Sequence, residues 1–91
     1  MNEVDVFKAL GNSTRLKILN SVKNKPKCIC ELIPISGKSQ PNVSHHIKIL
    51  KNAGLISEKK DKTNILIEAS NKNIFEVIKM VRGMKKSTQL I

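Results

Sequence analysis

The chain has 91 residues, of which 17 are Lys or Arg and 7 are Asp or Glu, so its net charge is +10. This length allows one domain at most, here residues 1–91, and a hydrophobic content of 40% is too high for a solvated basic tail. Two phenylalanines are the only Phe, Tyr or Trp residues, which argues against RNA modules that stack bases on aromatic rings. Double-stranded nucleic acid is therefore the favoured partner.

Three other classes of protein are disfavoured. Glu3 and Asp5 stand where a secretory signal would carry basic residues, and no apolar run approaches the ~18–20 residues of a membrane span. We therefore expect a soluble, cytoplasmic protein. We do not expect an enzyme or a required cofactor, because no nucleophile, base and orienting group recur at workable spacing and no phosphate-binding glycine loop is present.

The first part of the chain predicts two helices. Residues 3–10 carry apolar side chains partly at helical spacing and end at Gly11. Asn12 or Ser13 can cap a second helix, which ends before Pro26. The predicted buried stripe of this second helix consists of Leu16, Ile18, Leu19 and Val22.

The middle of the chain predicts a helix-turn-helix. Residues 30–35 indicate a short helix that ends around Gly37, and Ser39 caps a longer helix to about residue 52. Pro41 falls in the first turn of that helix, where its missing N–H costs nothing, and Gly54 stands just past the end. Two helices joined by a tight glycine turn are typical of this motif.

A hairpin and a last helix complete the predicted fold. Residues 55–60 and 65–69 are two β-branched, partly alternating runs, separated by the turn-forming group 61–64. A hairpin directly after the helix-turn-helix makes the fold a winged helix, mainly α with a β-hairpin wing. A final helix from Asn73 to Met84 carries an apolar stripe, and residues 85–91 are expected to form a frayed tail. Together, the first and final helices offer more apolar surface than one small core uses.

The long helix of the motif is the predicted reading element. On a helical wheel Val43, Ile47 and Leu50 define its buried face, so the polar residues near its N-terminus would face base edges in a major groove. Gln and Asn can bond bidentately to adenine, and His can donate to guanine. Outside this motif, the same residues would be read as ordinary polar first-turn positions. The predicted DNA-binding residues of the helix are Ser39, Gln40, Asn42, Ser44 and His45, with Lys48 and Lys51 better placed for phosphates.

The hairpin supplies further positive charge. Lys59, Lys60 and Lys62 surround its turn, and on a wing they would contact the DNA backbone or minor groove without reading sequence. The alternative is a solvated charged loop. His46 falls at the edge of the apolar face, which favours a histidine hydrogen-bonded within the packing over a metal ligand.

Cys28 and Cys30 form a Cys-Ile-Cys pair. This spacing does not suit an unstrained disulfide, and free thiols are expected in a reducing cytosol. Adjacent histidines on a helix point in divergent directions, so His45 and His46 do not complete a zinc finger with the cysteines. The two cysteines are candidate ligands for a thiophilic metal; the alternative is that they only pack as small apolar side chains.

Four segments together resemble the ArsR/SmtB metalloregulators, dimeric winged-helix repressors. They cover, in order and spacing, roughly residues 5–84 of the chain. The segments are Phe7-Lys8-Ala9-Leu10-Gly11-Asn12-Ser13-Thr14-Arg15-Leu16-Lys17-Ile18-Leu19, Cys28-Ile29-Cys30-Glu31-Leu32, Ser39-Gln40-Pro41-Asn42-Val43-Ser44-His45-His46-Ile47-Lys48-Ile49-Leu50 and Ala53-Gly54-Leu55-Ile56. The resemblance implies a homodimer formed through the first and last helices.

The resemblance also implies a role for the cysteines. They are similar to the thiol pair that arsenic-, cadmium- and lead-sensing members place at the start of the first helix of the motif. The third cysteine usual in arsenic sensors is missing; its equivalent is Ile33 or a neighbour. The last helix lacks His and Asp, so the zinc site that other members build there across the dimer is absent.

The sequence therefore predicts a homodimeric, sequence-specific DNA-binding regulator, with repression as its expected role. Release by a thiophilic metal or metalloid, or by oxidation at the cysteine pair, is the expected control. One alternative is an effector-independent basic or chromatin-like DNA-binding protein, which would show steep salt dependence and little sequence discrimination. A winged helix used for protein contact is a further alternative, disfavoured by the charge of +10.

Overall fold

The computed structural model describes residues 2–84, so the predicted frayed tail at 85–91 lies outside the described residues. The helices are α1 (Glu3–Leu10), α2 (Ser13–Ser21), α3 (Ile29–Ser36), α4 (Gln40–Asn52) and α5 (Asn73–Gly83). The strands are β1 (Lys27–Cys28), β2 (Ile56–Asp61) and β3 (Asn64–Ala69). The predicted class, mainly α with a hairpin wing after a helix-turn-helix, is confirmed.

Side-chain caps explain where three helices begin. The side-chain oxygen of Asn2 accepts the N–H of Asp5 at 2.9 Å, and that of Asn12 accepts the N–H of Arg15 at 3.1 Å. Ser39 Oγ accepts the N–H of Asn42 at 3.4 Å at the start of α4. Each cap satisfies a backbone donor that has no partner within its own helix.

The turn between α3 and α4 depends on a glycine. Gly37 closes α3 in the left-handed region at φ +72°, with its N–H donated to the carbonyl of Ile33 at 3.0 Å. Side chains rarely adopt this backbone conformation, so glycine is the natural residue here. The turn sets the direction in which α4 leaves α3.

The sheet has one more strand than the sequence predicts. Its order is β1-β3-β2, all antiparallel, with Lys27 opposite Ile67 and Cys28 opposite Leu66. A two-residue strand is too short to show alternation, so no sequence pattern reveals β1. The hairpin turn is also tighter than predicted, because the ladder continues to the pair Asp61 and Asn64.

The core lies between the helices and one face of the sheet. The predicted buried face of α4 is confirmed: Val43, Ile47 and Leu50 are 0%, 3% and 0% exposed. They pack with Leu32 of α3 and Ile67 of β3, among other apolar residues. Burial of this stripe orients the opposite face of α4 toward solvent.

A second apolar surface is exposed. It is defined by Val4 and Phe7 of α1 with Val77, Met80, Val81 and Met84 of the α5 region, and we call it the α1/α5 face. A groove in it has a volume of about 250 Å³ and runs between Phe7, Leu10 and Val81. The surplus apolar face predicted from the sequence is thus present. None of the helices between residues 2 and 84 is both long and apolar enough to span a membrane.

Candidate nucleic-acid interface

The solvent face of α4 carries the predicted reading residues. Ser39 through Asn42, Ser44, His45, Lys48 and Lys51 are all exposed, while the buried stripe holds the opposite face in the core. Pro41 in the first turn removes one of the backbone donors that would otherwise need a partner at that end of the helix. The geometry is that of a helix whose polar edge can enter a groove, and the individual contacts stay predictions.

Lys51 has a partner that the sequence does not reveal. Its Nζ lies 3.3 Å from Glu58 Oε2 on β2, and both side chains are partly exposed. The pair joins the last turn of α4 to the first strand of the wing. The carboxylate of Glu58 would therefore stand beside Lys51 in any contact with a phosphate. Lys48 has no ion-pair partner among the described residues.

The wing lysines are all exposed but differ in placement. Lys60 lies two residues beyond Glu58 on β2, so the two share one side of the strand, and Lys59 lies on the other. Lys62 occupies the first loop position at φ +57°, the only positive φ of a described residue other than glycine. A two-residue hairpin loop requires a positive φ, so the chain places a lysine where the backbone would favour Gly or Asn.

A groove joins the reading helix to the wing and to the cysteine segment. Its lining includes Ser44, Lys48 and Lys51 from α4, Glu58 from β2, and Ile29. Ile29 is the residue between the two cysteines. A change in the backbone at the cysteine pair would therefore reach the wall of the candidate DNA groove.

The expectation of free thiols is wrong for this structure, which joins Cys28 and Cys30 in a disulfide. Cys28 precedes α3 in an extended conformation, at φ −79° and ψ 162°, while Cys30 lies in the first helical turn. The change of direction at Cys28 brings the two Cα atoms to 5.3 Å, within the range that disulfides span.

The surroundings of the pair argue against pure packing. Cys30 is exposed and Cys28 half-buried, unlike the buried cysteines that act as small apolar side chains. The backbone N–H of Cys28 donates to Glu31 Oε1 at 3.1 Å, which anchors the start of α3. Within residues 2–84 no group of three or more His, Cys, Asp or Glu side chains could hold a metal ion.

Arg15 is a residue that the sequence analysis does not single out. It projects from α2 and donates to the carbonyl of Ala9 through Nε at 2.7 Å and to that of Lys8 through Nη2 at 3.2 Å. Its Nη1 lies 3.2 Å from Nδ1 of His46 on α4. His46 is 9% exposed, which places it in the packing as predicted. Burial lowers the pKa of His46, and the charges of Arg15, His45 and Lys38 lower it further.

Comparison with known proteins supplies a family. The family described as "Bacterial regulatory protein, arsR family" matches residues 12–58, from the cap of α2 to the first strand of the wing. The chain is 38% identical to an uncharacterized HTH-type transcriptional regulator of Methanocaldococcus jannaschii, over 85% of this chain and 88% of that protein. It is 29% identical to an arsenical resistance operon repressor of Staphylococcus aureus, over 92% of this chain and 81% of the repressor.

Solved structures show the same architecture. A homodimeric winged helix-turn-helix DNA-binding domain of Mycobacterium bovis, described as a possible ArsR-family transcriptional regulator, superposes with a TM-score of 0.82. The match covers 93% of this chain and 82% of that one at 20% sequence identity. The fold is therefore shared although most side chains differ. These matches are regulators rather than enzymes, as the sequence analysis expects.

Proposed function

The chain belongs to the ArsR family of bacterial regulatory proteins, and on that premise we propose that it is a homodimeric transcriptional repressor of the cytoplasm. It binds an operator in duplex DNA with α4 in the major groove and the wing on the flanking backbone. The observation that carries the proposal is the solvent face of α4, where Gln40, Asn42, Ser44 and His45 are exposed beside Lys48. Side chains of these types can read base edges and hold a phosphate.

The α1/α5 face supports a dimer. Phe7 is 60% exposed, Met80 70% and Met84 63%. Phe7 lines one apolar groove with Val77 and Val81 of α5, and monomers rarely expose large apolar patches. Covering this face with a second copy places two α4 helices on one molecule. Dimers of helix-turn-helix proteins bind half-sites about one helical turn apart, so we expect a two-fold operator.

Control acts at the cysteine pair. Oxidation converts two thiols to the Cys28–Cys30 disulfide, and with a peroxide as oxidant the two thiol hydrogens leave in two molecules of water. The bond ties residue 28, in the sheet with the wing, to residue 30, in the helix that packs on α4. Formation of the bond shifts the start of α3 and weakens DNA binding.

A thiophilic metal or metalloid is the other candidate effector. Two thiolates do not close a trigonal or tetrahedral site, and no third His, Cys, Asp or Glu joins them among residues 2–84. The donor set therefore does not fit a closed metal site within one subunit. This favours oxidation as the signal, with no cofactor required.

Binding to the DNA upstream of its own coding region tests the repressor. We expect protection of a two-fold site, with affinity at physiological salt at least ~10³-fold above that for a scrambled duplex. Lys48→Ala should weaken binding to both duplexes by a similar factor, whereas Gln40→Ala should weaken only the specific site. Equal affinity for both duplexes with a steep salt dependence would identify a general basic DNA-binding protein instead.

The effector is tested in the same assay. Peroxide should release the wild type from DNA and dithiothreitol should restore binding, while Cys28→Ser/Cys30→Ser binds DNA under both conditions. Release of the double variant by peroxide would remove the cysteines from the mechanism. Release of the reduced wild type by arsenite or cadmium, but not by peroxide, would assign the pair to metal sensing.

A further inference from the structure

Arg15 connects three helices through a single guanidinium group. It belongs to α2, it donates to two carbonyls at the C-terminal end of α1, and it contacts the imidazole of His46 on α4. The carbonyls of Lys8 and Ala9 lie in the last turn of α1, where carbonyls lack partners within the helix, and that of Lys8 also accepts the N–H of Gly11 at 3.2 Å. Arg15 thus supplies α1 with a cap and fixes that cap to α4.

The contact with His46 dictates the state of the ring. An arginine side chain only donates hydrogen bonds, so Nδ1 of His46 must accept. The ring is therefore neutral and carries its hydrogen on Nε2. A protonated His46 would place an N–H against the guanidinium, and the bond would be lost.

The charges around His46 favour this neutral state. Arg15 faces it from α2, Lys38 from the turn before α4, and His45 adjoins it on α4, with the two imidazole centres 5.7 Å apart. From α1 the contribution is the two carbonyls that hold Arg15 in place. Every nearby ionisable group that acts on the ring is thus a base, and no buried side-chain nitrogen or oxygen within residues 2–84 lacks a partner.

We propose that Arg15 and His46 are a positioning pair that fixes the orientation of the reading helix α4 relative to the dimer helix α1. The inference rests on the proposed function, which assigns α1 to the dimer interface and α4 to the DNA groove. In a dimer the operator meets two α4 helices at once, so their relative orientation must match the spacing of the half-sites. A bridge between α1 and α4 sets that orientation in each subunit.

The pair acts through geometry rather than through charge on the DNA. Arg15 is half-buried and its guanidinium is directed toward Ala9 and His46. A lysine or arginine that contacts a phosphate contributes to the salt dependence of binding, roughly one unit in the slope of log affinity against log salt. Replacing Arg15 should therefore leave the slope of log affinity against log salt unchanged.

Arg15→Gln is the main test, with Lys17→Gln as its control. Both variants remove one positive charge from α2, but Lys17 is exposed and makes no side-chain hydrogen bond or ion pair with a described residue. We expect Arg15→Gln to lower operator affinity about tenfold, which corresponds to ~1.4 kcal/mol, with the dimer dissociation constant and salt slope unchanged. Lys17→Gln should stay within about twofold of the wild type.

Two results would overturn the proposal. A decrease of about one unit in the salt slope of Arg15→Gln would make Arg15 a phosphate contact. An affinity of Arg15→Gln equal to that of Lys17→Gln would show that the bridge does not position α4. If Arg15→Gln fails to fold, the variants of His46 carry the same test from the other side of the bond.

His46→Asn retains an acceptor near the position of Nδ1, whereas His46→Leu fills the space without one. We expect His46→Asn to keep operator affinity within about threefold and His46→Leu to lose about tenfold, with both variants dimeric. Combining Arg15→Gln with His46→Leu should lower operator affinity no further than Arg15→Gln alone, because both changes remove the same Arg15–His46 bond. Additive losses would show that the two residues act separately.

The tautomer of His46 can be observed without DNA. Nitrogen-detected NMR of the wild-type protein should show a neutral ring with hydrogen on Nε2 at neutral pH. A ring with hydrogen on Nδ1 would refute the bond even if the protein represses transcription. Conversely, a protein with the expected tautomer but no preference for its operator would retain the bond and lose the proposed function.

Discussion

Lys51 Nζ and Glu58 Oε2 lie 3.3 Å apart and connect the last turn of the reading helix to the wing. The two side chains are 43% and 42% exposed, so the pair contributes less than ~1 kcal/mol to stability. We expect the pair to act mainly on DNA binding. A carboxylate beside Lys51 repels a phosphate and holds the ammonium group away from it.

Glu58→Gln should therefore strengthen DNA binding. The change removes a negative charge from the candidate groove and frees Lys51, so we expect affinity for any duplex to rise several-fold and the salt slope to increase by up to about one unit. Titration of labelled duplexes at several salt concentrations measures both. Glu68→Gln, on β3, removes the same charge without touching Lys51 and should have a smaller effect. Equal gains for both variants would show that only net charge matters.

Gly37→Ala should destabilise the domain by about 1–2 kcal/mol, because an L side chain is disfavoured at φ +72°. Steric conflict does not contribute, since no atom lies within 4 Å of the position a Cβ would take. Gly83→Ala is a matched control at a site that is also open but lies in α5. There the same methyl group should raise stability, by at most the ~0.5–1 kcal/mol of a helix interior, because Gly83 is the last residue of α5. Urea denaturation of the two variants should give shifts of opposite sign.

A substitution at Lys62 can distinguish the effect of the wing's turn on stability from the effect of its charge on DNA binding. Lys62→Asn removes the charge but suits the positive φ of 57°, so the midpoint of thermal unfolding should be equal to or above that of the wild type. Affinity for specific and scrambled DNA should fall by the same factor, with the salt slope reduced by about one unit. Loss of affinity for the operator alone would mean that the wing reads sequence.

The stability of the domain should fall below about pH 6.5 in part through His46. Burial and neighbouring positive charges lower the pKa of His46 from its ordinary value of 6.5, so the unfolded chain binds a proton at a pH where the folded chain does not. Well above pH 6.5, His46 is neutral in both the folded and the unfolded chain, and the full stability is present. As the pH decreases, the unfolded state gains the proton first, at up to ~1.4 kcal/mol per pH unit.

Denaturant unfolding between pH 5 and pH 8 tests this difference. His46→Asn should flatten the dependence relative to the wild type, because it removes the group whose pKa is lowered in the folded state. An identical pH dependence for wild type and His46→Asn would contradict the neutral, hydrogen-bonded ring.

Local signals explain why so much of the fold can be predicted. The caps at Asn12 and Ser39, the break at Gly37 and the stripe of Val43 and Leu50 all act within a few residues of one another. A short window of sequence therefore contains the whole cause of each helix boundary and of the buried face. The same holds for which side of α4 faces solvent.

The features that the sequence did not predict are contacts between residues distant in sequence, or segments too short to show a pattern. Arg15 and His46 are 31 residues apart, and Lys51 meets Glu58 only because the chain reverses after α4. The strand β1 has two residues and exists through its pairing with β3. The disulfide depends on an extended residue at the junction of β1 and α3, which the Cys-Ile-Cys spacing alone does not specify.

The short strand β1 supports only the base of the wing. It supports β3 only at Leu66 and Ile67, so the hairpin continues past it by the pairs of Lys60 with Ile65 and Asp61 with Asn64. At about 3.3 Å per residue the unsupported portion measures roughly 7 Å before the loop. A projection this short bends little, so the wing should move with the helix-turn-helix as one body. In the proposed dimer, the distance between the half-sites would then depend on how the two α1/α5 faces meet.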